Sequence, residues 1–363
     1  MKLCFLGDAD SIHVRRWVLE LVDRGHDIHL ISFTDHAIPK VTLHTLPLSS
    51  ERKQSGRNWR MLLALSKIRR LIAQIEPDLL HSHYLSSYGL LGRLSGFRPH
   101  VATAWGSDVL VTPKRSQIAR LLLRFTISKC DKVTSDSVFM GEQLLRFGLS
   151  KEQLAIVPFG VDIELFSPSF SSTVATQDFK LLSTRTLDSN SNVEVVIRAL
   201  PKVLKHYPQA QLVIAHDGDQ RSRLEAVSVE LGVQDSVSFL GKVPHEKLPE
   251  LLKSASFFFS IPTSDATSVS LLEAMSCGLF PLVSDLPANR EWIEDGVNGF
   301  ILPELDEQTL GNRIVSAARD PNLIRSAKSR NRSLIEERAN WRTNVGMMEE
   351  IYSQIADIGE ETD

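Results

Sequence analysis

Residues Phe257 to Phe300 read FFFSIPTSDATSVSLLEAMSCGLFPLVSDLPANREWIEDGVNGF. The stretch opens on an apolar run, Phe257-Phe258-Phe259, short enough for a buried strand. A small polar turn follows from Thr263 to Thr267. Ser268 is placed to cap a helix through Val269, Leu271, Leu272 and Met275, and Gly278 stops it. Phe280 to Val283 then reads as a second strand. Strand, loop, helix and strand in this order make the repeating unit of a parallel α/β sheet.

Two acids lie eight residues apart in this unit, Asp265 in the turn and Glu273 inside the helix. A helix N-terminus offers unpaired N–H groups and the positive end of the dipole, which suits a phosphate. The residues there, Asp265-Ala266-Thr267-Ser268, are small enough for a ligand to approach the backbone. Glu273 falls about 1.5 turns beyond Ser268. From there a carboxylate can accept from two vicinal ribose hydroxyls while a diphosphate rests on the N-terminus. Asp265 can meet hydroxyls beyond the phosphates. The competing reading is that both acids are solvated carboxylates of an ordinary α/β unit.

The run Leu-Leu-Glu-Ala-Met-Ser-Cys-Gly, with Asp265 and Glu273 in acid-x7-Glu spacing, resembles the motif of family 4 retaining glycosyltransferases. Those enzymes have the GT-B fold. The Glu-x-x-x-x-Gly-x-x-Gly tail from Glu291 to Gly299 fits as well. The resemblance implies that Thr267, Ser268, Val269, Ser270 and Glu273 bind the nucleotide of a donor sugar, and that Asp265 and Glu273 are catalytic. The family usually has Glu where this chain has Asp265, one methylene and about 1.5 Å shorter.

At 363 residues the chain exceeds one ordinary core, so two domains are expected. Its 42% hydrophobic and 23% charged residues suit a soluble globular protein. No apolar run approaches the roughly 20 residues of a membrane span, and the N-terminal run is too short for a secretory signal. Cys4, Cys130 and Cys277 are scattered among apolar residues and read as buried thiols of a reducing compartment. A cytoplasmic address is expected. Residues 1–160 hold 22 Lys and Arg against 14 Asp and Glu, and residues 161–363 hold 19 against 30. A basic half of +8 and an acidic half of −11 point to an anionic surface or ligand for one of them, or to a difference of composition with no partner behind it.

In chain order, Leu3 to Gly7 is a strand and Ser11 to Gly25 a helix with Val14, Trp17, Val18, Leu21 and Val22 on one face. His26 to Phe33 is the next strand, which completes a Rossmann-like βαβ unit. Its first loop has Gly7 but no G-x-G-x-x-G, so no dinucleotide cofactor is expected. Loops at strand C-termini line the crevice of such sheets, which makes Gly7, Asp8 and His13 candidates. Arg57 to Ile75 reads as a basic helix with Met61, Leu62, Leu65, Ile68, Leu71 and Ile72 on its apolar face. It is either an ordinary surface helix or one that also touches anionic lipid.

Pro77 to Tyr84 is a strand carrying His81 and His83 on one face. No partner set at metal spacing accompanies them, so a metal site is not expected. The resembling family often has His-x-His here, beside its cleft. It also carries a histidine where this chain has Trp105. Asp108, in the same Trp-Gly-Ser-Asp loop, is the substitute candidate, against the alternative of a plain turn. Lys114 to Lys132 reads as a second basic helix, its apolar face needed for the core.

Pro158-Phe159-Gly160-Val161-Asp162, with Phe166, resembles the family's junction between halves, and Ser167 to Gln177 is the expected linker. Lys180 to Thr184 is a strand, with Arg185 where the family binds the donor diphosphate. The family's lysine about five residues on is absent: positions 188–192 are Asp-Ser-Asn-Ser-Asn. His216-Asp217-Gly218-Asp219 reads as a turn rather than a metal-binding D-x-D triplet. Lys242 and Val243 follow a short strand where the family flanks the nucleotide base. Gly311 to Ser333 and Leu334 to Ile358 are expected to be helical, and in the resembling proteins the last helix returns across the first domain.

The expectation is therefore an α/β chain of GT-B type, two Rossmann-like doubly wound domains facing a cleft. An acceptor-side domain spans 1–166, a nucleotide-sugar domain 178–340, and a returning helix 341–363. The resemblance implies transfer from a nucleotide diphosphate sugar, UDP favoured, to a glycan or lipid-linked acceptor in polysaccharide or cell-envelope synthesis. The anomeric configuration is retained, and Gly7, Asp8, His13, His83 and Trp105 stand on the acceptor side. Asp265, Glu273, Asp108 and His13 are the catalytic candidates. Arg185, Lys242 and Val243 join the helix N-terminus on the donor side. No metal, cofactor or nucleic-acid partner is expected, and the basic half is expected to meet an anionic inner membrane face. The alternatives are an epimerase or phosphorylase on the same scaffold, or a non-catalytic sugar-nucleotide-binding protein.

Overall fold

The computed structural model describes residues 1–46, 59–168 and 179–360. Arg57 and all but the first two residues of the expected linker lie outside them. The chain forms two compact units, Met1–Pro158 with Thr343–Asp363, and Phe159–Arg342.

The first unit is built on a parallel sheet of seven strands. They are β1 (Lys2–Leu6), β2 (Asp27–Ser32), β3 (Thr42–Thr45), β4 (Leu79–His83), β5 (His100–Thr103), β6 (Lys132–Ser135) and β7 (Leu154–Ile156). Their order across the sheet is β3-β2-β1-β4-β5-β6-β7. Strands β1 and β4 pair with Leu3 opposite Leu79. Every residue of β4 is buried, His81 and His83 included. The helix Ile12–Asp23 packs Val14, Trp17, Val18 and Leu21 inward, on the face its spacing predicts.

The second unit repeats the plan with β8 (Lys180–Ser183), β9 (Gln211–Ile214), β10 (Val237–Phe239), β11 (Phe257–Ser260), β12 (Phe280–Ser284) and β13 (Phe300–Leu302). The order is β10-β9-β8-β11-β12-β13, again all parallel. In each sheet the order reverses beside the first strand of the unit. That reversal opens a crevice at the strand C-termini, between β1 and β4 in one unit and between β8 and β11 in the other. The two parallel sheets and their helices are the expected Rossmann-like halves.

The last helix, Trp341–Glu360, is anchored in the first unit from Thr343 onward. Tyr352 is fully buried and its hydroxyl bonds His81 Nδ1 at 2.6 Å. Glu349 pairs with Arg24 at 2.7 Å and with His26 at 2.8 Å. The preceding helix, Pro321–Arg338, ends where Val161 forms a bridge: its N–H donates to Ala339 O at 2.7 Å and its carbonyl accepts from Trp341 N at 3.0 Å. A Cβ on Gly160 would come within 2.3 Å of Trp341 Cα, so only glycine fits at that point of the junction.

Two expected helices differ from their sequence reading. The first begins as a 3-10 turn, Trp59–Ala64, and becomes α-helical only over Leu65–Ile75. Leu62 lies on the solvent side rather than on the buried face. The second is divided: Thr112–Arg115 is one short helix and Gln117–Ile127 another, because the Ser116 hydroxyl turns back to accept from Ile118 N. Of its apolar residues Leu123 and Ile127 are buried, whereas Leu121, Leu122 and Phe125 are exposed. The run Leu121-Leu122-Leu123 has no polar interruption to mark which side is inside.

Three histidines of the first unit, His81, His83 and His100, are buried. Burial lowers the His83 imidazole to about 3 and His100 to about 4, and sends His81 well below its ordinary value. All three fold as neutral rings but take up a proton in the unfolded chain near pH 6.5. Stability from these groups is fully present above that pH and is lost as pH falls towards 3–4. Each adds a slope of up to about 1.4 kcal/mol per pH unit. Urea unfolding at pH 7.5 and at pH 5 should show a marked loss at the lower pH. Equal stability at both would mean that the rings are not held neutral.

Candidate functional site

The crevice between β8 and β11 gathers most of the donor-side candidates. Arg185 stands two residues past β8, and its guanidinium reaches the loop after β11. Nη1 donates to Ser268 Oγ at 2.9 Å, and Nη2 forms an ion pair with Asp265 Oδ2 at 2.9 Å. Burial pushes the Asp265 carboxyl up, against the opposing pull of Arg185. Ser268 caps the helix Val269–Ser276, its hydroxyl accepting from Leu271 N and sharing a 3.1 Å contact with Ser270 Oγ. A cation, a hydroxyl pair and a helix N-terminus thus converge on one spot, which is suited to a doubly charged phosphate group.

The loop that carries Asp265 is held from below by residues standing where the family has its lysine. Asn190 Nδ2 donates to Ser264 O at 3.0 Å, and its Oδ1 accepts from Ser264 N at 3.1 Å. Asn192 Nδ2 donates to Ile261 O at 2.9 Å. Asn192 adopts a left-handed φ of 52°, a conformation asparagine tolerates. The polar Asp-Ser-Asn-Ser-Asn run is therefore the seat of the acidic loop.

Glu273 is buried, and its Oε1 bonds His245 Nε2 at 2.7 Å. The His245 ring packs on Phe166, centroids 5.2 Å apart. Sequence reasoning missed His245, because it lies in a short 3-10 turn with no periodicity and 28 residues from its partner. Lys242 is exposed and Val243 half-buried in the loop leading to that turn. Thr267 is buried beside the cap, and Val269 and Ser270 are half-buried. His216 to Gly218 form an irregular loop that runs into a turn at Asp219 and Gln220; Asp217 Oδ1 accepts from Gly218 N at 2.8 Å, and Oδ2 takes Arg221 at 3.3 Å. Gly299 of the glycine tail lies against Pro281, where a Cβ would meet its ring at 2.8 Å, so that glycine serves packing.

In the first unit the crevice between β1 and β4 holds Gly7, Asp8, His13, His83 and Trp105. The rings of His13 and His83 lie 5.0 and 5.3 Å from that of Trp105. His83 Nδ1 and Nε2 are buried with no hydrogen-bond partner. Asp8 Oδ1 accepts from Thr34 Oγ1 at 2.6 Å. A Cβ on Gly7 would crowd Val14 at 3.2 Å. Asp108 does not belong with this group. It is fully buried, Oδ2 accepting from Leu85 N at 2.7 Å and Oδ1 from Trp105 N at 3.0 Å. Burial raises its carboxyl to about 6, against the pull of those amides. In this structure both of its oxygens are taken by backbone amides, and it anchors the loop.

Among the described residues no cluster of His, Cys, Asp and Glu is arranged to hold a metal ion. The three cysteines are free and buried, each thiol pushed up to about 12.

Residues 2–137 match the family "Glycosyl transferase 4-like" and residues 168–334 match "Glycosyl transferases group 1". The chain belongs to the family 4 glycosyltransferases of GT-B fold. It is 27% identical over 194 residues to the phosphatidylinositol N-acetylglucosaminyltransferase gpi3 subunit of Schizosaccharomyces pombe, covering 53% of this chain and 42% of that protein. The match thus spans less than half the length of that relative. It is 22% identical to N-acetyl-alpha-D-glucosaminyl L-malate synthase of Bacillus anthracis, covering 93% and 91% of the two chains. Among solved structures, the HepE protein of Anabaena in complex with UDP and glucose aligns with a TM-score of 0.80 at 19% identity, over 97% of this chain and 99% of that one. Sucrose-phosphate synthase of Thermosynechococcus elongatus aligns at 0.82 and 18%, over 98% and 99%. These matches do not favour the epimerase, phosphorylase or non-catalytic readings.

Asp108→Asn offers one acceptor oxygen to two backbone amides and sets an amide group against the other. It should cost about 1–3 kcal/mol of stability, the range for an unsatisfied buried donor. Urea unfolding checks it. A variant as stable as the parent would show that the two amide bonds do not hold the loop.

Proposed function

We propose that the protein is a retaining glycosyltransferase that moves a hexose from a UDP-sugar to a glycan or lipid-linked acceptor without a metal ion. The observation that carries this reading is Arg185, held between Asp265 and the Ser268 cap at the opening of the helix that contains Glu273. The donor diphosphate takes the place of Asp265 as the partner of Arg185 and rests on the helix N-terminus. Negative charge grows on the diphosphate as the bond from the anomeric carbon to its β-phosphate oxygen breaks. Arg185 and the helix dipole stabilise that charge.

The acceptor oxygen bonds the anomeric carbon on the face the phosphate leaves, and its proton passes to the departing phosphate oxygen. No protein carboxylate attacks. Glu273, steadied by His245, accepts from the ribose hydroxyls, and Asp265 accepts from hydroxyls of the transferred sugar. UDP is favoured because the Anabaena neighbour binds UDP and glucose. A lipid-linked acceptor in cell-envelope or polysaccharide synthesis is favoured because named relatives include an alpha-monoglucosyldiacylglycerol synthase of Streptococcus pneumoniae. The protein then works from the cytoplasm, peripherally on the inner face of the membrane.

Incubation with a panel of UDP-sugars and acceptors, with UDP release and product anomer read by NMR, tests the reaction. An inverted product would remove the retaining mechanism. Glu273→Ala should weaken UDP binding by about 1.5–3 kcal/mol, the range for hydrogen bonds to a charged group. Calorimetry showing the parent affinity would take Glu273 out of the site. Asp265→Asn should abolish most turnover while UDP affinity stays level or tightens, since Arg185 loses its competing partner. Full turnover in that variant would mean that Asp265 does not meet the sugar.

A further inference from the structure

No residue of the Glu291–Gly299 tail belongs to the donor-side cluster. With the helix Pro321–Arg338 the tail instead lines a cleft of about 630 Å³ within the second unit. That size falls inside the roughly 300–1,000 Å³ of small-molecule sites. Trp292, Ile293 and Ile301, all buried, give the cleft an apolar side. Its wall is fixed by buried Asn298, whose Oδ1 accepts from Glu294 N at 2.7 Å. The Asn298 Nδ2 donates to Trp292 O at 2.9 Å and to Asn331 Oδ1, on the helix, at 2.8 Å. Gly296 turns the chain with a left-handed φ of 77°, and its N–H donates to Gly299 O at 2.9 Å. The shape of the cleft is thus set by the fold itself.

One polar group in the lining is unanswered. Trp292 is 3% exposed, and its Nε1–H has no hydrogen-bond partner among the described residues. A buried indole N–H ordinarily finds an acceptor. The indole is held in place, with the Arg338 guanidinium 4.6 Å from its ring centroid and donating to Glu291 O at 2.9 Å. Three arginines and four acids line the same cleft. Arg330 pairs with Glu294 at 2.7 Å, and Asp295 with Arg313 at 3.3 Å. Exposed ion pairs of this kind are common and define nothing by themselves. Around a bare indole donor and an apolar side they define a class of ligand. A guanidinium donates in parallel pairs and a carboxylate accepts in pairs, and vicinal hydroxyls answer both. An anion would need cations in surplus, and a wholly apolar ligand would leave the indole N–H bare.

We propose that this cleft is a second sugar-binding site that takes an uncharged glycan. Trp292 Nε1–H donates to a ring or hydroxyl oxygen, and Arg330 and Glu337 bond hydroxyls at the rim, where both are exposed. The cleft shares no residue with the donor-side cluster, so a glycan held here stays bound while the donor crevice empties and refills. Such binding needs no turnover, and its failure leaves the transfer reading untouched.

The full chain, labelled with ¹⁵N at its tryptophan indoles, is titrated with maltotriose, cellotriose and triacetylchitotriose, and with trigalacturonate as an acidic counterpart, each with and without UDP. Calorimetry reads the affinities in parallel. At least one neutral sugar should shift one indole resonance saturably, the one missing from Trp292→Phe, whether or not UDP is present. Trigalacturonate should bind more weakly. Arg330→Ala/Glu337→Ala, on exposed positions, should lower the neutral sugar's affinity about tenfold, as for one lost hydrogen bond to a charged group, and leave thermal unfolding unchanged. If Trp292→Phe does not fold, the rim variant decides by calorimetry. No saturable binding by any of the three neutral sugars, equal or tighter binding of trigalacturonate, loss of the shift on adding UDP, or an unchanged affinity in the rim variant each overturns the proposal. So does a shift confined to the indole lost in Trp105→Phe, which would put the glycan in the first unit.

Discussion

The reversal of strand order beside β8 is the constraint on which the meeting of Arg185, Asp265 and Ser268 depends. Strands β9 and β11 leave β8 on opposite sides, so the loops that follow β8 and β11 part from each other at the strand ends. Arg185 comes from one loop, Asp265 and Ser268 from the other. Their separation of 83 residues between Arg185 and Ser268 closes to a 2.9 Å hydrogen bond only because the two strands are neighbours in register. A cation placed there without Asp265 and Ser268 would have no fixed direction. With them it is aimed along the opening of the helix.

Holding that geometry takes residues outside the ion pair itself. Asn190 and Asn192 stitch the β8 loop to the β11 loop through backbone groups from Ile261 to Ser264. A side-chain amide donates and accepts at once, which is why Asn190 can satisfy both an N–H and a carbonyl of Ser264. A lysine there would add charge to the crevice but could accept nothing. Where the family has that lysine, this chain has side chains that tie the two loops together.

The first unit uses buried polar groups differently. His81 links three elements, bonding Tyr352 on the last helix and Thr103 on β5, each at 2.6 Å, from its own place on β4. Asp108 ties two loops at the strand ends through backbone amides. His83 alone among the histidines of β4 has neither ring nitrogen satisfied, and it sits at the strand end beside Trp105. The polar interior is thus spent on joining the C-terminal helix to the sheet and on fixing the loops around His13, His83 and Trp105.

The amino-acid sequence by itself determined the parallel α/β class, the two halves and the helix cap at Ser268. Each follows from local periodicity and from residue types whose preferences act within a few residues. It also marked Asp265, Glu273 and Arg185, though only through likeness to a known motif, since their spacing alone is that of any α/β unit. Tertiary structure decided what distant residues do to one another. His245 became the partner of Glu273, Asn190 the support of Ser264, and Asp108 an anchor rather than an exposed acid. It also divided the leucines of Gln117–Ile127 between core and solvent. A run of adjacent apolar residues satisfies burial on either side of a helix, and which side is buried depends on the sheet and helices packed against it. That choice is made by long-range contacts, and no local pattern in the chain encodes it.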